Sequence, residues 1–252
     1  MQGIYTSPSG KKWEFDLLHP FPIGIPFEGG SALRCFNAPP ISFAPLQSGN
    51  FIGAVDAGSP VNFYDVKLNP HGNGTHTETV RHISNLPVFV GEVLPSYFYF
   101  AALISIEPEK QSNGDRVITL SQVSNAFINI NEPVESLIVR TLPNSRDKLY
   151  RDYSGTNPPY FSEEAMHFIR DQHIQHLLTD LPSVDKEQDD GLLKAHKSFW
   201  NYPQDPRKDA TITELIFVQD TLKDGLYILQ LQPLPLQLDA SPSCPILYPV
   251  LQ

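Results

Sequence analysis

Prolines punctuate this chain from end to end, and they restrict its fold more than any other feature. There are 24 of them in 252 residues, roughly twice the ~5% usual in proteins. They fall in short clusters: His19-Pro20-Phe21-Pro22, Ala38-Pro39-Pro40, Asn157-Pro158-Pro159 and Gln232-Pro233-Leu234-Pro235. Proline lacks an amide proton and has a fixed φ, so it is barred from helix interiors and from central ladder positions. Much of the chain must therefore run through shaped loops, which argues against an all-helical bundle. Wholesale disorder is excluded too, because 40% of the residues are hydrophobic, with 15 Phe, 10 Tyr and 2 Trp. That is enough to bury a substantial core.

Period-two alternation over Trp13–Leu17 predicts an opening strand, ended by His19-Pro20. Residues 61–66, 86–90, 97–106, 116–120, 135–140 and 225–231 are further strand candidates. Residues 121–128 are expected to form a short helix. The clearest helix lies at 162–173, with Ser162 as N-cap and Glu163 and Glu164 at the positive end of its dipole. Ala165, Phe168 and Ile169 form its apolar face. Residues 176–179 follow as a strand, giving a strand–helix–strand unit of the kind that favours parallel pairing. A second helix is expected over 189–200. Residues 211–220 form an apolar segment with one conspicuous carboxylate, Glu214. With no repeat and no linker, the expectation is one α/β domain spanning 1–252.

Charge narrows the partners. Eighteen Lys and Arg stand against 28 Asp and Glu, a net charge of −10, and no basic run exceeds Lys11-Lys12. Nucleic acid and an anionic membrane surface are poor partners for such a chain. A small molecule or another protein is left. Cys35 and Cys244 cannot build a disulfide framework and are expected to be ordinary reduced thiols. The opening residues lack a signal-peptide pattern, and every apolar stretch breaks well short of ~18 residues. A cytoplasmic protein is therefore expected.

Residues 69–82 hold the densest chemistry: Asn69-Pro70-His71-Gly72-Asn73-Gly74-Thr75-His76-Thr77-Glu78-Thr79-Val80-Arg81-His82. Neutral imidazoles beside a carboxylate suit a borderline divalent ion such as Zn²⁺ or Mn²⁺. If 76–82 is extended, His76, Glu78 and His82 differ by even steps and project to one side. His71 is an odd step from His76 and would project to the other side. Gly72 and Gly74 could absorb the difference in a bulge or turn. A polar surface loop with incidental histidines has the same composition. No Gly-x-Ser-x-Gly elbow, nucleotide-binding glycine loop or His-Glu-x-x-His pair is present.

The segment resembles the His-x-Gly-Thr-His-x-Asp-x-Pro-x-His signature of the cyclase-like metal-dependent hydrolases, the family of bacterial kynurenine formamidase and isatin hydrolase. Gly74-Thr75-His76 and His82 match it. Glu78 stands in place of Asp, Val80 in place of Pro, and His71 lies one residue too far upstream. The likeness continues in order along the chain. Asp16-Leu17-Leu18-His19-Pro20 resembles the family's opening Asp-Leu-Ser-His-Pro, and Leu137–Thr141 its Leu-Leu-x-Arg-Thr strand. Thr179–Asp185 resembles its Asp-Thr-Pro-Ser-Val-Asp loop, and His196 and Glu214 fall where it has a late His and a late Glu.

The resemblance implies a mixed sheet with a barrel-like core and flanking helices, similar to the swivelling β/β/α fold. It implies one or two divalent ions, Zn or Mn, held by His71, His76, Glu78, His196 and Glu214, with His82 as general base and acid. Hydrolysis of a small amide through a metal-activated water, an aryl formamide or a cyclic amide, is the leading expectation. Lactone hydrolysis or a cyclase/dehydratase reaction on the same site, and a non-catalytic small-molecule-binding protein, are the alternatives. A homo-oligomer, dimer or tetramer, is expected as well. Elsewhere, His19 could line the pocket or sit on the surface. His167, His173 and His176 read as structural or solvated, and Asp180 and Asp185 as turn-formers. Trp200 is expected to pack. Phe21, Phe27, Phe36, Phe43 and Phe51 could be core or an apolar wall.

Overall fold

The computed structural model describes residues 1–251. Its longest strand, Phe98–Ile106, shows how the core is divided. Phe100, Ala102 and Ile104 face one apolar cluster, and Tyr99, Ala101 and Leu103 face another. The neighbouring strand Ser136–Thr141 repeats this alternation, with Leu137 and Val139 on the first side and Ile138 on the second. Side chains alternate along a strand, so apolar residues at every position demand cover on both faces.

Nine strands form the main sheet, in the order Ala240–Pro242, His76–Thr79, Thr211–Glu214, His176–Thr179, Ser136–Thr141, Phe98–Ile106, Gly225–Gln230, Ile246–Pro249 and Phe21–Pro22. The four central strands, from Thr211–Glu214 to Phe98–Ile106, run parallel. The flanking strands are antiparallel. This is the mixed α/β architecture expected of the chain. Pro22 and Pro242 lie in the two edge strands, where a missing amide proton breaks no ladder.

Helices Leu120–Phe127, Glu163–Asp171 and Lys194–Trp200 cover the first face through Val123, Met166, Ile169, Phe199 and Trp200. Ser162 caps the Glu163–Asp171 helix, its side chain accepting from the Ala165 amide, and that helix joins two parallel strands as the spacing predicts. Trp200 packs, fully buried.

Two expectations need correction, and two readings left open are decided. The helix placed at 189–200 begins only at Lys194. Asp189 accepts from the Gly191 and Leu193 amides, and Gly191 and Leu193 both have positive φ; this local turn competes with the helix. Residues 86–90 form no strand, and Val90 instead donates to the Leu238 carbonyl. Of the early aromatics, Phe21 packs half-buried against the second cluster, Phe27 and Phe51 are half-buried, and Phe36 and Phe43 are exposed. His19 is on the surface, paired with Asp16.

His176 is buried in its strand, with Nδ1 against the Thr211 hydroxyl at 2.8 Å and its ring 4.1 Å from that of Tyr99. Burial, helped by the Arg207 charge, pushes its pKa down to about 3. An unfolded histidine takes up a proton near ~6.5. Between those values the unfolded chain binds the extra proton, so this residue makes the fold less stable as pH falls through the window. In urea titrations from pH 7 to pH 4, a His176→Gln variant should lose less stability than the wild type. Parallel losses would show that His176 does not carry this dependence.

Candidate metal centre

The centre grows from the antiparallel pairing of His76–Thr79 with Thr211–Glu214. Glu214 lies directly across from His76, and Ile212 from Glu78. Ile212 belongs to the helix-covered cluster, so these three polar side chains point toward the Lys194–Trp200 helix, which carries His196. His76 and Glu78 are fully buried, and His196 and Glu214 nearly so. His76 Nε2 lies 3.4 Å from Glu214 Oε2. His196 Nε2 lies 3.1 Å from Glu78 Oε1 and 3.9 Å from Glu214 Oε1. Four of the residues singled out in the sequence thus converge across more than one hundred positions of chain.

His71 joins them through a device other than a bulge. Pro70–Asn73 forms a single helical turn, capped by Asn69, whose side chain accepts from the Gly72 amide. Proline suits the first position of such a turn. Gly72 and Gly74 are required for close approach: a Cβ on Gly72 would collide with Ala38, and one on Gly74 would lie 2.8 Å from the Phe27 ring. The turn brings the His71 ring to 5.0 Å from that of His76 and its Nδ1 to 3.2 Å from Glu78 Oε2.

His82 also arrives differently from the expectation. The strand ends at Thr79, and Val80–Ile83 coils into a 3₁₀ turn. Thr79 accepts from the Arg81 amide and ends the extended stretch. His82 therefore reaches Glu78 across a helical i,i+4 step, at 3.7 Å, rather than along an extended face. It sits at the mouth with 31% of its side chain exposed.

Two aspartates complete the arrangement. Asp185 accepts from the Ala195 and His196 amides at the start of the helix and from His196 Nδ1 at 2.6 Å. It is a cap, as an aspartate in such a loop should be, and it also orients the imidazole. Its neighbour Val184 donates to Glu214 Oε1. Asp180, by contrast, is buried in an ion pair with Lys148. The second aspartate, Asp239, was not singled out in the sequence. Its Oδ2 lies 2.9 Å from His71 Nε2 and 3.3 Å from His82 Nδ1. It stands 157 positions beyond His82 in a proline-rich tail, and no spacing pattern links it to the histidines. Leu215, next to Glu214, holds a φ of 55°, a costly conformation for such a residue. The Thr75 hydroxyl donates to its carbonyl.

Each inner histidine follows one rule. His76 Nδ1 meets the Gly74 carbonyl, His196 Nδ1 meets Asp185, and His71 Nε2 meets Asp239. A carbonyl or ionised carboxylate can only accept, so those nitrogens donate and the opposite nitrogens face inward. His76 Nε2 and Glu78 Oε2 are buried without a hydrogen-bond partner among the described residues. Buried polar atoms are nearly always satisfied, and a cation between them would satisfy both. His71, His76 and Glu78 each offer a ligand atom within 4.8 Å of the others, as do Glu78, His82 and His196, and His71, His82 and Asp239. The residues present therefore fit a divalent ion.

Electrostatics agree. Burial alone would push the Glu78 carboxyl up, yet the neighbouring imidazoles of His82, His196 and His71 hold it well below the usual carboxylate range. Burial opposes charge on His71, but the neighbouring carboxylates of Asp239 and Glu78 push it up to about 10. The cluster thus attracts positive charge, as proton or as metal.

The Cyclase family model matches residues 15–186. The chain belongs to this family. No curated protein matches it. Among solved structures, isatin hydrolase A from Labrenzia aggregata, bound to benzyl benzoate, is 14% identical with a TM-score of 0.67, covering 91% of this chain and 93% of that one. Isatin hydrolase A from Ralstonia solanacearum is 11% identical, with a TM-score of 0.66 and 91% of both chains covered. A predicted metal-dependent hydrolase from Bacillus stearothermophilus is 16% identical, with a TM-score of 0.64, covering 91% of this chain and 98% of that one. At these identities they share the fold.

If this family member binds metal where the inner nitrogens converge, His76→Ala should lower bound Zn or Mn to background in elemental analysis. Asp185→Asn keeps a side chain able to cap the helix but replaces the carboxylate that orients His196. It should weaken metal affinity about 10–100-fold. A His76→Ala protein with its full metal content would place the centre elsewhere.

Proposed function

We propose that this cyclase-family protein is a metal-dependent hydrolase of a small amide, a cyclic amide or an aryl formamide. The observation that carries the reading is the pair of buried, unpartnered atoms, His76 Nε2 and Glu78 Oε2, inside a ring of outwardly anchored histidines. His71, His76, Glu78, His196 and Glu214 would hold the ion or ions, Zn²⁺ or Mn²⁺ by their mixed nitrogen and oxygen chemistry. Such an ion, when bound, lowers the pKa of water toward ~7 and polarises a carbonyl.

The remaining work falls to the chain's own groups. His82 stands at the mouth, beside the buried donors and open to solvent, where an imidazole can take a proton from the attacking water. The same imidazole can return it to the leaving nitrogen, which expels a neutral amine. Asp239 accepts from His82 Nδ1 and offsets the charge that forms on the ring. Glu78 stays anionic beneath, and the Trp200 ring, 5.5 Å from His196, screens the inner side from water. Two structural neighbours are isatin hydrolases, which supports a cyclic amide as the first substrate to try.

Purified enzyme should be assayed with isatin, an N-formyl aryl amine and a lactone, with and without chelator. Hydrolysis of either amide that chelator abolishes is expected; turnover of the lactone alone would move the reaction to ester chemistry. His82→Ala should retain its metal and lose about 10²–10⁴-fold in kcat, the usual worth of a general base. His71→Ala should lose metal and activity together. A His82 variant that loses the metal, beside a His71 variant that keeps metal and rate, would reverse these roles.

A further inference from the structure

Three cations surround one small cavity of a chain whose net charge is −10. Arg116, Lys148 and Arg151 line it together with Thr141, Tyr153 and Asp180, and its volume is about 80 Å³. One water needs ~10–15 Å³ of such space, so several waters or one small ion would fit. The cavity lies outside the carboxyl ends of two neighbouring parallel strands: Thr141 ends Ser136–Thr141, and Asp180 directly follows His176–Thr179. That end of a parallel sheet is where α/β proteins ordinarily hold ligands. None of these six residues belongs to the metal centre.

The buried groups are already paired, and the charge left over is positive. Asp180 accepts from the Thr141 amide and hydroxyl and from Lys148 Nζ, the last at 2.7 Å. Lys148 also donates to the Thr141 carbonyl and to Asn144 Oδ1, so its three protons are engaged. Arg151 reaches Asp147 through Nε and one terminal nitrogen, which leaves its other terminal nitrogen free to donate. Arg116 lies at the exposed rim and makes no ion pair among the described residues. Asp180 and Asp147 together balance two of the three cations. Tyr153 is the odd member. It is 4% exposed, and its hydroxyl, close enough to Asp180 and Arg151 to feel both charges, has no hydrogen-bond partner among the described residues. A tyrosine so buried ordinarily has one.

We infer that this cavity is a binding site for a small oxyanion, an inorganic phosphate or a carboxylate of formate size. Guanidinium forks match the oxygens of such ions, the Tyr153 hydroxyl supplies a further donor, and the Lys148–Asp180 pair forms a fixed floor. The site stands apart from the hydrolase reading, but the fold connects it to the metal centre. Leu181, next to Asp180, accepts from the Leu215 amide, and Tyr153 shares an apolar cluster with Leu215, the neighbour of Glu214. A bound anion would brace the loop that runs on to Asp185 against the strand that ends in Glu214.

Isothermal titration of the metal-loaded protein, at constant ionic strength in chloride, with inorganic phosphate and with formate tests this without any hydrolysis assay. One or both should bind one to one, and at 100 times its Kd the bound ion should raise Tm by about 5 °C or more. Binding of phosphate alone marks a tetrahedral ligand, and binding of formate alone a planar one. Arg116→Gln should weaken binding about tenfold or more and Tyr153→Phe about fivefold, with metal content unchanged. Phenylglyoxal labelling of the wild type, read by peptide mass spectrometry, covers a variant that fails to fold: the bound ion should protect Arg116 and Arg151. An anion seated on the metal would bind both variants as tightly as the wild type, and that result overturns the proposal. A wild type that binds neither ion in the millimolar range, or whose arginine labelling is indifferent to both, overturns it as well.

Discussion

Everything at the centre depends on keeping one carboxylate ionised where no water reaches it. Glu78 has no exposed surface, and an unpaired buried carboxylate would be strongly disfavoured. The fold answers by surrounding it with imidazoles from three separate parts of the chain: a capped turn, a 3₁₀ turn and a helix. Each is then tethered from behind, His196 by Asp185 and both His71 and His82 by Asp239. Removing any tether would let an imidazole rotate away from Glu78, so the outer aspartates matter to the site although they stand behind it.

The sheet supplies the fixed points. Because Glu214 faces His76 and Ile212 faces Glu78 across a ladder, the spacing of two carboxylates and one histidine is set by backbone hydrogen bonds rather than by side-chain rotamers. Scaffolds of this kind hold a site more precisely than loops do. The histidines that ride on turns are the ones nearest solvent.

How much of this was legible in the sequence varied with the range of the information. The strand–helix–strand unit was readable because Ser162, the paired glutamates and the apolar spacing are local signals. The metal-type residues were readable from their density between His71 and His82, and His196 and Glu214 from their order along a family resemblance. What misled was backbone geometry. The even spacing of His76, Glu78 and His82 suggested one extended face, yet Thr79 turns the chain, and His82 arrives by a helical step. The spacing leaves His71 either a bulge or a turn, and Asn69-Pro70 builds a capped turn. Asp239 left no trace at all, since its contacts are entirely long-range. The early phenylalanines could be read as core or as an apolar wall, because hydrophobicity does not record whether a segment folds inward or projects.

The edge strand Ala240–Pro242 closes against His76–Thr79, which sets an order of assembly. One of the first elements of the centre to leave the ribosome must wait for one of the last. Until the tail is made, His76–Thr79 has an open edge, and His71 and His82 lack the aspartate that aligns them. Contacts so distant in sequence make for slow folding, and an unpaired edge invites misassociation while it lasts. A chain cut before Asp239 would thus hold most of its sheet and still lack a finished centre.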